Sequence, residues 1–281
     1  MPRMDLCLEA LSALTGCSVE ATAAESQLTP QDIVNIAALK QFYKQEGFKE
    51  LEYPSLGSLS LTGNDEDVDM YSSPPAIEGG PKPEPTTRPS VKINPATFFD
   101  PPFDYDFTNI KDGKRTFLRG EERYVRPCGW SRVALRVLGY DGGDAWLGTG
   151  PSSWPVSYHG NRMDGALGVT VTRRGPATEG EGPEFLEAAA ASLVAGATNG
   201  RGVYSSPDVG VAESFCKRFR SRGDGKTYKV VLQNRINPQH RKKCQREGYW
   251  LVTIPEGYNP AQTRATVQLA LRPYGMLLKE D

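Results

Sequence analysis

The sequence predicts an α+β fold, with mixed or antiparallel sheets and short helices behind a largely disordered N-terminal arm. Three observations lead there. Helix-patterned and strand-patterned segments interleave in the C-terminal part of the chain, and some strands follow one another directly. All four tryptophans, Trp130, Trp146, Trp154 and Trp250, fall in that part. Residues 60 to 90, by contrast, mix acidic residues, prolines and glycines with hardly any aliphatics, a composition too poor in apolar surface to offset its own ordering entropy. The expected division is therefore an arm over residues 1–95, holding two short helices and a Pro-rich acidic linker, and a folded domain over 96–281.

Each element has a local reason. Leu6, Leu8, Leu11 and Leu14 share one helical side, which predicts a helix over 5–15. "TPQDIVNIAALKQFYKQEG" predicts a second helix with Thr29 as N-cap, Pro30 in the first position and Gly47 as the stop. In "WSRVALRVL" (130–138) Val133, Leu135 and Val137 alternate with Arg132 and Arg136, the period of a strand. "TYKVVLQN" (227–234), "YWLVTI" (249–254) and "YGMLLK" (274–279) are short, β-branched or aromatic, and bounded by Gly, Pro or charge. Helices are expected at 163–168, 185–195, 207–219 and 260–271, the third of them weakened by Gly210. "RINPQHRKKCQR" (235–246) reads as a solvated basic loop whose functional use would be a phosphate or partner contact.

Charge and cysteine usage exclude several classes. The 281 residues carry 33 Lys and Arg against 34 Asp and Glu, so no net field draws the chain to nucleic acid or to an anionic membrane. Five scattered cysteines, no CxxC spacing and only two histidines leave no zinc pattern, and no metal is expected. The thiols read as reduced, in an intracellular protein of the cytoplasm or nucleus. The apolar run near the N-terminus is broken by Asp5 and Glu9, and no stretch is long enough to span a bilayer.

Two segments carry a resemblance. "YHG" (158–160) and "GRGVYSSPDVGVAESFC" (200–216) resemble the signature of the poly(ADP-ribose) polymerase superfamily: a strand ending in His-Gly, then a Gly-x-Gly-x-Tyr strand leading into a helix. The later strands follow in a similar order, so the likeness covers roughly residues 125–281. It implies an ADP-ribosyltransferase-like fold that binds NAD as co-substrate and passes ADP-ribose to a protein or nucleic-acid acceptor. His159 matches the ribose-binding histidine, Gly160 the glycine whose backbone holds the nicotinamide carboxamide, and Tyr204 the ring-stacking tyrosine. His159 and Tyr204 are expected on neighbouring strands, lining one site with Phe215 across it.

The departures from the pattern matter as much. Phe215 stands where the family has its second aromatic; the ring keeps the stacking term, on the order of 0.5 to 1.5 kcal/mol. Ala212 stands where the family has a hydroxyl residue, so Ser205, Ser206 or Ser214 would have to supply that hydrogen bond. At the position of the catalytic glutamate the sequence reads "QREGYWLV", which aligns Tyr249 there, with Gly248 as the alternative register. Glu247 lies two residues before Tyr249, on the same side of an extended strand but about 6.5 Å along it. Without that glutamate, transfer is expected to stop at a single ADP-ribose unit, and the second reading is an inactive module binding NAD, ADP-ribose or a protein partner. A tRNA 2′-phosphotransferase would share the ancestral fold, but "HGN" departs from it.

Overall fold

The computed structural model describes residues 3–46, 50–53, 57–60, 90–161, 163, 202–244 and 248–281. Among them are five α-helices: α1 (Met4–Thr15), α2 (Pro30–Glu46), α3 (Pro95–Phe98), α4 (Val209–Glu213) and α5 (Pro260–Ala270). The strands are β1 (Ser18–Ala21), β2 (Glu50–Tyr53), β3 (Gly57–Ser60), β4 (Ser90–Ile93), β5 (Tyr105–Asp106), β6 (Phe117–Arg119), β7 (Glu122–Tyr124) and β8 (Ser131–Ala134). They continue as β9 (Val156–His159), β10 (Gly202–Ser205), β11 (Lys217–Arg220), β12 (Thr227–Ile236), β13 (Lys242–Lys243), β14 (Trp250–Thr253) and β15 (Leu271–Glu280).

The chain folds as mixed α and β with mostly antiparallel sheets. The longest apolar strands, β12 and β15, sit at the centre of a six-stranded sheet in the order β11, β12, β15, β8, β5, with β9 on the remaining length of the β12 edge. A second antiparallel sheet runs β10, β14, β13. The two sheets meet where Tyr158 bridges Ser206. β1 and β4 form a parallel pair, and β2–β3 and β6–β7 are antiparallel pairs.

Side-chain alternation on the central strands separates two buried clusters. Val230, Leu232, Met276 and Leu278 face one, while Val231 and Leu277 face the other with Trp130, Tyr158, Tyr204 and Phe215. The start of α2 follows the chemistry read from sequence, while α5 has a cap that the sequence reading did not assign. Asp32 accepts from both the N–H and the hydroxyl of Thr29 at 2.8 Å, and Asn259 and Gln262 close a reciprocal capping box on α5.

The N-terminal helices are not a separate arm. Leu6, Leu11 and Leu14 of α1 and Ile33, Val34 and Leu39 of α2 belong to the same buried cluster as the central strands, and β1 pairs with β4. A boundary at residue 95 therefore cuts through one core. Sequence reading left the helices without a partner because their partner, the sheet face built by Val230, Leu232 and Met276, lies about two hundred residues further along the chain. The disorder expected over 60–90 falls almost wholly on residues outside those described.

Two element expectations change. The helix over 207–219 ends at Glu213, and Lys217–Arg220 instead forms β11, antiparallel to Thr227–Val230 across the turn "SRGDGK". Phe219 stacks on Tyr228 at 6.0 Å in that pairing, a contact a continued helix would forgo. The strand over 130–138 stops at Ala134, where Arg136 turns out to solvent. The helices expected at 163–168 and 185–195 lie outside the described residues, apart from Met163. No helix among the described residues is long and apolar enough to cross a membrane.

Candidate functional site

The seam between the two sheets gathers most of the residues singled out from sequence. Across it, Tyr158 and Ser206 exchange both backbone bonds, at 2.7 and 2.9 Å. In a continuing antiparallel ladder the Tyr204 carbonyl would next accept from Gly160 N–H. The ladder opens instead, and His159 Nδ1 meets the Tyr204 carbonyl at 2.7 Å. A carbonyl oxygen only accepts, so Nδ1 carries the proton, and in the neutral ring Nε2 is the acceptor.

His159 and Tyr204 do come from neighbouring strands, joined at the Tyr158–Ser206 bridge, but their side chains do not line one site. Tyr158 and Tyr204 share one buried cluster, and His159, one position further along β9, projects to the side of its ladder partner Leu232. The imidazole therefore meets the backbone of Tyr204 and not its ring. Ser205 departs for the same reason: it pairs with Trp250 and alternates away from the Tyr204 ring. Ser206 shares the Tyr204 side, but its Oγ accepts from Asp208 N–H at 3.0 Å, and Ser214 Oγ donates to the Val211 carbonyl at 2.7 Å.

Gly160 is where the sequence pattern and the geometry agree most closely. A Cβ there would sit 2.4 Å from the Ala212 carbonyl and 2.7 Å from the Phe215 backbone, so only glycine lets the end of β9 rest against the turn after α4. Both Gly160 backbone groups are in use. Its N–H donates to Met163 Sδ at 3.3 Å, and its carbonyl accepts from Met163 N–H at 2.8 Å. Met163 is buried in the same cluster as Tyr204 and Phe215.

The aromatic wall is apolar and neutral. Burial, with Cys244 adding to it, pushes the Tyr204 phenol up to about 12. Phe215 meets Tyr249 edge to face at 6.2 Å, and Tyr249, one residue before β14, packs against the same cluster. Ala212 is fully buried and brings no hydroxyl. Glu247 lies outside the described residues. Among the described residues no group of His, Cys, Asp or Glu has the arrangement of a metal site.

Sequence reasoning missed the part played by Met163, which it placed at the start of a helix; its one available signal was an apolar residue three places after the His-Gly pair. It also misplaced Arg235. That residue is not in a solvated loop but on β12, only 4% exposed, with its guanidinium donating to the carbonyls of Trp154 and Leu147 at 2.6 and 2.5 Å.

Compared with protein-family models, curated proteins and solved structures, the chain matches none.

Proposed function

We propose that this chain is an NAD-dependent mono-ADP-ribosyltransferase of poly(ADP-ribose) polymerase type, built on an ADP-ribosyltransferase-like fold. Convergence supports the reading: the His159–Gly160 strand end, the Tyr204 strand and the Phe215 turn meet at one seam, with Gly160 tight against Ala212 and Phe215. NAD would lie at that seam, its nicotinamide among Tyr204, Phe215 and Tyr249; the His159 imidazole, on the Leu232 side of β9, would have to release the Tyr204 carbonyl and turn to hold the adenine-side ribose. In the transfer the bond from nicotinamide nitrogen to ribose C1′ breaks, its electron pair leaving on nicotinamide. The acceptor's nucleophile bonds to C1′ and gives up its proton to solvent. Tyr249 meets the developing positive charge with a hydroxyl dipole only. Removing a preorganised electrostatic group from such a centre lowers rate by roughly 10² to 10³, which is why the reaction is slow and stops at one unit.

A second reading, a non-catalytic module on the same fold, is favoured by Met163. It already bonds both backbone groups of Gly160 that a carboxamide would need. Nicotinamide release from NAD by the purified full chain, alongside calorimetric titration with NAD, separates the two. Release that His159→Ala abolishes supports transfer. Binding without release supports the module, and no heat at millimolar NAD overturns both NAD readings.

A further inference from the structure

Positive charge collects around the β6–β7 hairpin of a chain whose net charge is only −1. Six Lys and Arg fall within residues 111–126, and Arg241, Lys242 and Lys243 add three more; the acidic residues of those two stretches are Asp112, Glu121 and Glu122. Folding brings the stretches together, because Glu122 on the hairpin pairs with both Arg241 and Lys243. Asp112 pairs with Arg126, whose guanidinium lies 4.4 Å over the Phe117 ring of the same hairpin. Two of the three carboxylates are thus committed. Among the described residues Lys111, Lys114, Arg115, Arg123 and Lys242 are exposed and form no ion pair.

Exposed rings adjoin these cations. Tyr105, on the edge strand β5, is 45% exposed, Phe103 just before it 66%, and Leu118 on the hairpin 55%. Tyr105 pairs with Arg132 across the β5–β8 ladder; the Arg132 guanidinium lies 5.9 Å over its ring, and one Nη donates to the Phe103 carbonyl at 2.8 Å. The end of β5 is tied to the chain just after Arg126 by bonds of 2.9 Å, from Phe107 N–H to the Trp130 carbonyl and from Gly129 N–H to the Phe107 carbonyl. Tyr105 is also one of the neighbours that, after Asp112, raise the Arg126 pKa. The carboxylates of this edge bond locally, Asp104 to Ala134 N–H at 2.7 Å and Asp106 to Thr108. The rings and the hairpin cations therefore lie on one continuous surface.

We infer that this surface, from Phe103 and Tyr105 across to Lys114, Arg115, Arg123 and Lys242, binds single-stranded nucleic acid. The cations without carboxylate partners meet the backbone phosphates, and the arginines add planar donors that match phosphate oxygens. Unpaired bases offer flat faces to Tyr105 and Phe103, and stacking of that kind is tolerant of sequence. A duplex keeps its bases stacked on one another and leaves the rings unused, and an acidic peptide brings no such face. An anionic bilayer is recruited by charge together with an apolar wedge. Here Arg132 and Arg126 lie over the rings, an arrangement that suits bases among cations rather than side chains entering lipid. The surface stands independently of the NAD reading.

The test is fluorescence anisotropy of a labelled oligouridylate about 20 nucleotides long, titrated with the full chain in the absence of NAD. Binding is expected at about 50 mM salt and should weaken about tenfold or more by 200 mM, as counterion release requires. Lys114→Gln, Arg115→Gln and Arg123→Gln combined should flatten that salt dependence. Tyr105→Ala should weaken binding about fivefold or more at an unchanged salt slope, because it removes stacking alone. Should Tyr105→Ala melt early, Phe103→Ala, at the more exposed ring, is read in its place. Three results overturn the proposal: no binding at low salt; displacement by polyglutamate, a duplex or phosphatidylserine vesicles as effective as by unlabelled oligouridylate; or ring variants that bind as wild type does.

Discussion

Gly160 carries a tight steric constraint where β9 meets the α4 turn, and it is local enough to test by one methyl group. The Cβ of Gly160→Ala would collide with the backbone of Ala212 and Phe215, which belongs to the α4 turn and cannot swing aside as a side chain could. Overpacking of this kind costs typically 1–3 kcal/mol, so urea unfolding should register about that loss. Gly139→Ala, with nothing within 4 Å of its Cβ, should change stability by less than about 0.5 kcal/mol. Equal effects at the two positions would mean that β9 does not rest on the α4 turn. The sequence made Gly160 legible through its place after His159, and Tyr204 and Phe215 through their spacing. It could not reveal that the ladder between β9 and β10 opens after Tyr158, because whether a carbonyl takes a backbone or an imidazole donor depends on how two sheets cross.

Elements were legible where period and caps agreed. α2, α5, β12, β14 and β15 all stand where their patterns put them, because Thr29 and the periodic aliphatics act within a few residues of themselves. α4 was overextended because the apolar spacing of 207–219 fits a helix, whereas the competing pairing of β11 with β12 is made across a turn. The short α4 is held down by charge as well. Glu213 accepts from Lys229 at 3.1 Å and from Lys279 at 3.0 Å, tying the helix to β12 and β15. Burial alone would raise the Glu213 pKa, but the two ammonium groups outweigh it and hold it below its ordinary 4.5. A carboxylate depressed in the folded state contributes stability above its unfolded pKa, and that contribution is lost as pH falls through the folded value. Glu213→Gln should therefore cost about 1 kcal/mol or less at pH 7, given its partial exposure to screening solvent. The gap between wild type and variant in urea midpoint should close as pH drops below about 4.5. A gap that stays constant down to pH 3 would mean the ion pairs do not stabilise α4.

At the scale of the whole molecule, the decisive fact is that one buried cluster draws on both ends of the chain. α1 and α2 supply Leu11, Val34 and Leu39, all 1% exposed or less, and the central strands supply Val230, Leu232 and Met276 beneath them. Composition drew a line near residue 95 because it averages over neighbours in sequence, and these contacts join residues remote in it. Fully burying an aliphatic side chain is worth about 1.5–3 kcal/mol, so stripping away several exposes more apolar surface than a typical net stability of 5–15 kcal/mol can absorb. A chain beginning at residue 90 should therefore lack a cooperative thermal transition and bind a hydrophobic dye. Residues 1–60 supplied as a second polypeptide should restore the transition, since α1, α2 and β1 dock on the sheet and on β4 through side chains and strand pairing. Calorimetry of the two pieces, apart and mixed, gives the answer. A cooperative, dye-free transition in the 90–281 piece alone would mean that the sheet is stable without its N-terminal helices, and that the division at residue 95 reflects folding as well as composition.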